Sequence, residues 1–216
     1  MTKPTVYFTR EITPENVVCL FDALGVELPG RVAVKVHSGE RGNQNFLRPE
    51  FMQPMIEHVD GTVVECNTAY DGARDTTEKH EALMAEHGWA DLFDVDIMDA
   101  EGPDLVLPIE NHRVISENRV GKHLTDYNSL LVLSHFKGHP MGGFGGALKQ
   151  LSIGCASNEG KVNIHTAGAS LKQVEFWEKL AEQDDFLVAM AEAADTVAAM
   201  FEGRAAYVNV ACNLSV

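Results

Sequence analysis

The sequence predicts an α/β fold: a mostly parallel sheet sandwiched by helices, with an alanine-rich helical segment near the C-terminus. Three observations predict it. Short β-rich runs alternate with helical patterns along most of the 216 residues, as β-α-β units do. The run Leu130-Leu131-Val132-Leu133-Ser134 is apolar without alternation, which suits a strand covered on both faces. Polar or glycine-rich residues follow several of these runs, and that is where parallel sheets place their ligands.

Taken in order, residues 6–9 are a short β-rich run. Thr13-Pro14-Glu15 is a helix start, with a capping hydroxyl before a proline at the first helical position. Val17, Val18, Phe21 and Leu24 continue at helical spacing until Gly25 stops the helix. Residues 31–37 alternate into a strand. Residues 49–59 read as a helix with Phe51, Met52, Met55 and Ile56 on one side, interrupted by Pro54. Residues 62–66 form a strand that ends in the polar Asn67-Thr68-Ala69-Tyr70-Asp71-Gly72, and 76–87 a helix closed by Gly88. Strands are expected at 94–98, Leu105–Pro108, 113–118 and 130–134. Residues 171–201 are predicted to be largely helical, and their alanines suit close helix packing; residues 205–211 form a last strand. With no internal repeat, residues 1–216 are read as one α/β domain. A β-run so near Val216 also fits the N-terminal part of a longer natural chain.

Composition narrows the function. A net charge of −15 argues against nucleic acid, whose phosphates are held by clustered Lys and Arg, and against an anionic membrane surface. No run reaches the roughly 18 apolar residues of a spanning helix, and the start lacks the apolar core of a secretory signal. The cytoplasm is the expected compartment. Cys19, Cys66, Cys155 and Cys212 are widely spread, without metal-ribbon spacing. Cys19 and Cys66 are read as small buried hydrophobes.

The chemistry is expected between His135 and His165. This stretch holds His135, His139 and His165, the lysines Lys137, Lys149 and Lys161, and a crowd of glycines that includes Gly145 and Gly146. Glycines let main chain touch a ligand. Their free N–H groups form an anion-binding nest if Ala147 opens a helix, and the lysines would hold the same anion as point charges. Imidazoles titrate near neutrality and also bind transition metals, so His139 and His135 are candidate acid/base groups and His165 a candidate metal ligand. Cys155 is either a reactive or ligating thiol, which needs a depressed pKa, or a packed residue. His37, Arg41 and His80 are further candidates, as is Arg74, which could clamp a carboxylate. His80, His87 and His112 are expected at the surface, and Glu78, Glu81 and Glu86 form a solvated helix face.

The stretch Gly145-Gly146-Ala147-Leu148-Lys149-Gln150-Leu151-Ser152-Ile153-Gly154-Cys155-Ala156-Ser157, followed by Gly160-Lys161 and His165, resembles the domain of unknown function 362 family. The likeness extends through Lys35-Val36-His37-Ser38-Gly39-Glu40, residues 67–74 and Ser134-His135-Phe136-Lys137-Gly138-His139. Members are often described as iron–sulfur centre proteins, because many carry a cysteine insert shortly after the position of His165. This sequence departs there and continues into the alanine-rich segment. An iron–sulfur cluster needs four thiolates, which Cys155 and Cys212 alone do not supply.

His139, Gly145-Gly146, Lys149 and His165 are also similar in order and spacing to the lactate racemase family, which uses a nickel-pincer nucleotide. That resemblance implies a catalytic acid/base at His139, a cofactor-attachment lysine at Lys149 and a metal ligand at His165. Three readings follow. One is a metal- or cofactor-dependent racemase or oxidoreductase acting on a small anion, with Lys149, Gly145, Gly146, Lys161, Lys137 and Arg74 binding cofactor and His165, His37 and Cys155 binding metal. The second is a redox or metal-carrier module that works with an iron–sulfur partner. The third is a non-catalytic binder of small anions. A homo-oligomer is compatible with each.

Overall fold

A computed structural model describes residues 3, 5–102 and 104–211. The chain forms α1 (Pro14–Leu24), β1 (Val32–Lys35), α2 (Pro49–His58), β2 (Gly61–Glu65), α3 (Thr77–Glu86), α4 (Trp89–Leu92) and β3 (Val95–Ile97). There follow β4 (Leu105–Pro108), β5 (Glu117–Val120), β6 (Ser129–His135), and the short pair β7 (Lys137–His139) and β8 (Gly143–Gly145). Next come α5 (Ala147–Lys149), a π-helical turn (Gln150–Gly154), α6 (Asn158–His165), α7 (Gln183–Met200) and β9 (Ala205–Val210).

Five strands make one sheet in the order β3-β2-β1-β6-β9, and every pairing in it is parallel. Alternation along the strands builds a core on each face. Val32, Val34, Val63, Leu131 and Leu133 pack with Val17 and Phe21 of α1 and with Met52, Met55 and Ile56 of α2. Ala33, Val64, Leu130 and Val132 face the other way, against Leu151, Cys155, Ala194, Val197 and Phe201. This is the expected parallel sheet between helical layers. The seven residues of β6 are all buried, as the unbroken apolar run requires.

Local signals hold at α1. Thr13 accepts from the Asn16 N–H, Pro14 opens the helix, and Gly25 closes it at φ 62°. Pro54 lies inside α2 without ending it.

Other expectations are corrected. Residues 6–9 form no strand; Val6 and Phe8 are exposed, in a segment without regular secondary structure. The strand expected at 113–118 is β5, shifted toward Val120 and paired antiparallel with β4 outside the main sheet. Of residues 171–201, only 183–200 form an α-helix, preceded by a 3-10 turn at Gln173–Glu175. The glycine-rich stretch folds in part as an antiparallel hairpin with Lys137 opposite Gly145; Ala147 then opens a helical segment that runs on into the π-helical turn, and its own N–H is taken by Asn209 Oδ1 at 2.9 Å. Among the described residues, no helix is long and apolar enough to cross a membrane. Cys212 lies outside the described residues.

Candidate active site

A cleft opens at the carboxyl ends of β1, β2 and β6. The sheet order switches direction between β1 and β6, the usual position of a ligand crevice in an open α/β sheet. An inner chamber of about 90 Å³ is lined by Lys35, Glu65, Arg74, His139, Lys149, Lys161 and His165, among others. It continues into an outer chamber of about 450 Å³ that shares His37, Tyr70, Arg74, His139, Lys149 and His165 and adds Lys137, Met141, Phe176, Trp177 and Leu180.

The floor is a compensated ion network. The Lys35 ammonium, 1% exposed, donates to the Val36 carbonyl (2.6 Å), Glu65 Oε2 (2.5 Å) and Gln150 Oε1 (2.9 Å). The other Glu65 oxygen accepts from the Ser38 N–H at 2.8 Å and hydroxyl at 3.1 Å, with an Arg74 nitrogen at 3.7 Å. Burial alone would raise the Glu65 pKa; Lys35 and Arg74 outweigh it and hold the carboxyl well below its ordinary range. Gly154 makes this possible, because a Cβ there would lie 2.5 Å from Gln150 Oε1 and 3.0 Å from Lys35 Cε. Arg74 is also paired with Glu40 at the rim, and the Tyr70 hydroxyl donates to the same carboxylate at 3.1 Å.

The walls carry cations without such partners. Lys137, Lys149 and Lys161 have no carboxylate within salt-bridge distance among the described residues. Lys161 donates to the Ala156 carbonyl at 2.5 Å. Burial, then the charges of Lys137 and Arg74, lower the Lys149 pKa to about 7; burial and Arg74 also lower that of Lys137. Lys149 enters the cleft from α5, just before the π-helical turn that places Gln150 over Lys35. Gly145 leaves room for its stem: a Cβ there would sit 3.2 Å from Lys149 Cδ.

Two imidazoles take opposite roles. His139 Nδ1 accepts from the Gly142 N–H at 3.0 Å, so the neutral ring carries its proton on Nε2. His165 Nδ1 donates to the Lys161 carbonyl at 2.7 Å, which leaves a free lone pair on Nε2. Burial, followed for His139 by Lys149, lowers both rings to about 4. Both are therefore neutral near pH 7. His37 is a third neutral imidazole in the cleft, lowered by burial and by Arg74, with Nδ1 accepting from the Gly39 N–H at 3.1 Å.

The structure brings together His139, His165, His37, Lys149, Lys137, Lys161 and Arg74. It leaves five expected residues out: Gly145 and Arg41 line neither chamber, Arg41 pairing with Glu86 at the surface, and the other three are His135, Cys155 and Gly146. His135 lines neither chamber: it shares strand parity with Leu131 and Leu133, and its buried Nδ1 lacks a partner. Cys155 is fully buried in the core, with its thiol raised by burial to about 11, and it lines neither chamber. Gly146 gives clearance between Asn209 and Phe136 and does not line the cleft. No group of three His, Cys, Asp or Glu among the described residues could hold a metal unaided.

Sequence reasoning missed Lys35, Glu65, Gln150, Phe176 and Trp177, and it placed His80 at the surface. His80 is fully buried, beside the Ser38 hydroxyl (3.3 Å) and Asn67 Oδ1 (3.4 Å). Its spacing to Leu83 and Met84 was the available signal.

The fold is that of an α/β protein with a cationic, histidine-lined cleft at the sheet's switch point. A family model described as Domain of unknown function (DUF362) matches residues 32–215, and the chain belongs to that family. Among solved structures, the lactate racemase apoprotein from Thermoanaerobacterium thermosaccharolyticum is similar over 94% of this chain and 50% of its own, with 13% identity and a TM-score of 0.56. A crystal structure of a protein from Thermotoga maritima is similar over 94% and 51%, with the same identity and TM-score. This chain thus spans about half the length of these structures, and the likeness is one of fold. No curated protein matches it significantly.

Proposed function

We propose that the cleft binds a small oxyanion beside a metal-bearing cofactor and moves a proton next to that anion, as a racemase or an oxidoreductase does. The observation that carries this reading is the opposed pair of neutral imidazoles around Lys149. The Nε2–H of His139 can donate to an oxygen on which charge develops. The Nε2 lone pair of His165 can take a proton or bind a metal, and its Nδ1–H anchored on a carbonyl is the usual support of a ligating histidine. Lys137, which has no carboxylate partner among the described residues, attracts the anion, and the partly buried surroundings strengthen that attraction.

The residues fit a nickel-type cofactor in part. His165 offers a nitrogen, and Lys149, with a pKa of about 7, is a partly neutral amine able to form a covalent link. The remaining ligands would have to come from the cofactor. When bound, such a group supplies an electrophilic metal centre. An iron–sulfur cluster fits poorly, since it needs four thiolates and, of the cysteines among the described residues, Cys66 alone lines the cleft.

Metal analysis and intact mass of protein purified without an affinity tag test the reading. Bound metal lost in His165→Ala, together with a mass adduct lost in Lys149→Ala, supports it. Wild-type protein with neither metal nor adduct, and with no affinity for small carboxylates, overturns it. If carboxylates bind but His139→Ala changes no activity that is found, the chain is a non-catalytic anion binder.

A further inference from the structure

The two chambers differ in chemistry as well as size. The inner one is walled by ions and imidazoles. The outer one is two-sided, with Lys137 and the Glu40-paired Arg74 on its cationic side and Phe176, Trp177, Leu180 and Met141 on its apolar side. Tyr70 joins the halves: its ring centroid lies 6.2 Å from those of both Phe176 and Trp177, while its hydroxyl holds Glu40. Phe176 and Trp177 meet edge-to-face at 4.9 Å, and Phe176 lies 5.1 Å from His165. The aromatic wall therefore runs from the chamber mouth to the imidazole with the free lone pair.

Trp177 is 68% exposed although it belongs to this cluster. A large ring left wet at the mouth of the chamber that Lys137 lines, without a carboxylate partner among the described residues, is surface that a ligand would bury. A short acid seated at Lys149 and His165 leaves it bare. Roughly 150 Å³ suffices for a benzene ring, so the outer chamber of about 450 Å³ has ample room for one.

We propose that the outer chamber receives an aromatic or branched apolar group joined to the oxyanion, so that the ligand class is aryl- or alkyl-substituted carboxylates rather than short-chain acids. This rests on the anion-binding reading of the cleft given above.

Calorimetric titration of the full chain with 2-hydroxy-3-phenylpropanoate, 2-hydroxypropanoate and 3-phenylpropan-1-ol tests it. The expected result is that the phenyl acid binds about tenfold to a hundredfold tighter than the short acid, the scale for burying one ring, and that the alcohol binds weakly. Trp177→Ala should remove most of that preference, Trp177→Phe should keep it, and Lys137→Met should weaken both acids alike. Trp89 is buried and Trp177 is the other of the two tryptophans, so a blue shift of wild-type fluorescence on adding the phenyl acid should vanish in Trp177→Phe. Equal affinity for the two acids, or a preference that survives Trp177→Ala, overturns this inference while leaving the anion-binding reading intact. Failure of both acids to bind overturns both.

Discussion

The floor of the cleft and its walls bury cations on different terms. Lys35 is enclosed by a carboxylate, an amide oxygen and a carbonyl, so its charge is matched within the chain. Lys149 and Lys137 line the same cleft with no carboxylate in salt-bridge range among the described residues, and their pKa values fall. A buried charge without a partner is costly. The floor is therefore architecture that closes on itself, whereas the walls are left for something else to neutralise. Floor substitutions should cost stability, and wall substitutions should cost binding and turnover.

The sharpest break of that contrast is Glu65→Ala. It strands the Lys35 ammonium and is expected to lower unfolding free energy by about 3–5 kcal/mol, the usual loss when one partner of a buried pair is removed, as read from urea denaturation. An unchanged midpoint would mean that water reaches the floor.

His139→Ala sits on the other side of the comparison. It should reduce any proton-transfer activity by roughly two to four powers of ten, with a denaturation midpoint close to wild type.

Lys149→Met sharpens the distinction through pH. The folded pKa of Lys149, about 7, lies below its ordinary 10.5. Between those values the unfolded chain binds more protons, so stability rises as pH goes from about 7 toward 10. Below the folded pKa the full cost of the buried charge is present, and above the unfolded pKa it is gone. Denaturation at a series of pH values should show this rise in wild type and a flatter profile in Lys149→Met.

The smallest effect belongs to Arg41→Ala, which removes a 2.8 Å pair with Glu86 whose side chains are 53% and 47% exposed. Pairs of this kind contribute under about 1 kcal/mol. A larger loss would show that exposed pairs here behave like the floor.

Much of the scaffold was legible because it rests on local signals. The cap at Thr13, the unbroken apolar run before His135 and the polar residues after β1, β2 and β6 placed the sheet and its cleft. The lysines and histidines of the glycine-rich stretch could be read from their density. What escaped depends on distant pairing: Lys35 and Glu65 are thirty residues apart, and each looks alone like the polar end of a strand. Phe176 and Trp177 were absorbed into an expected helix that in fact begins at Gln183. His135 was misplaced because strand parity, which decides its face, competes with its position beside Lys137 and His139.

The π-helical turn at Gln150–Gly154 makes the cleft sensitive to chain length at one point. Loss of a single codon there would let the widened ring tighten to ordinary α geometry, with i→i−4 bonds in place of i→i−5. Everything before it would swing by about 100° about the helix axis. Lys149 would rotate away while His165, on α6, stayed in place, so a one-residue deletion in this turn is expected to part amine from imidazole with both residues intact.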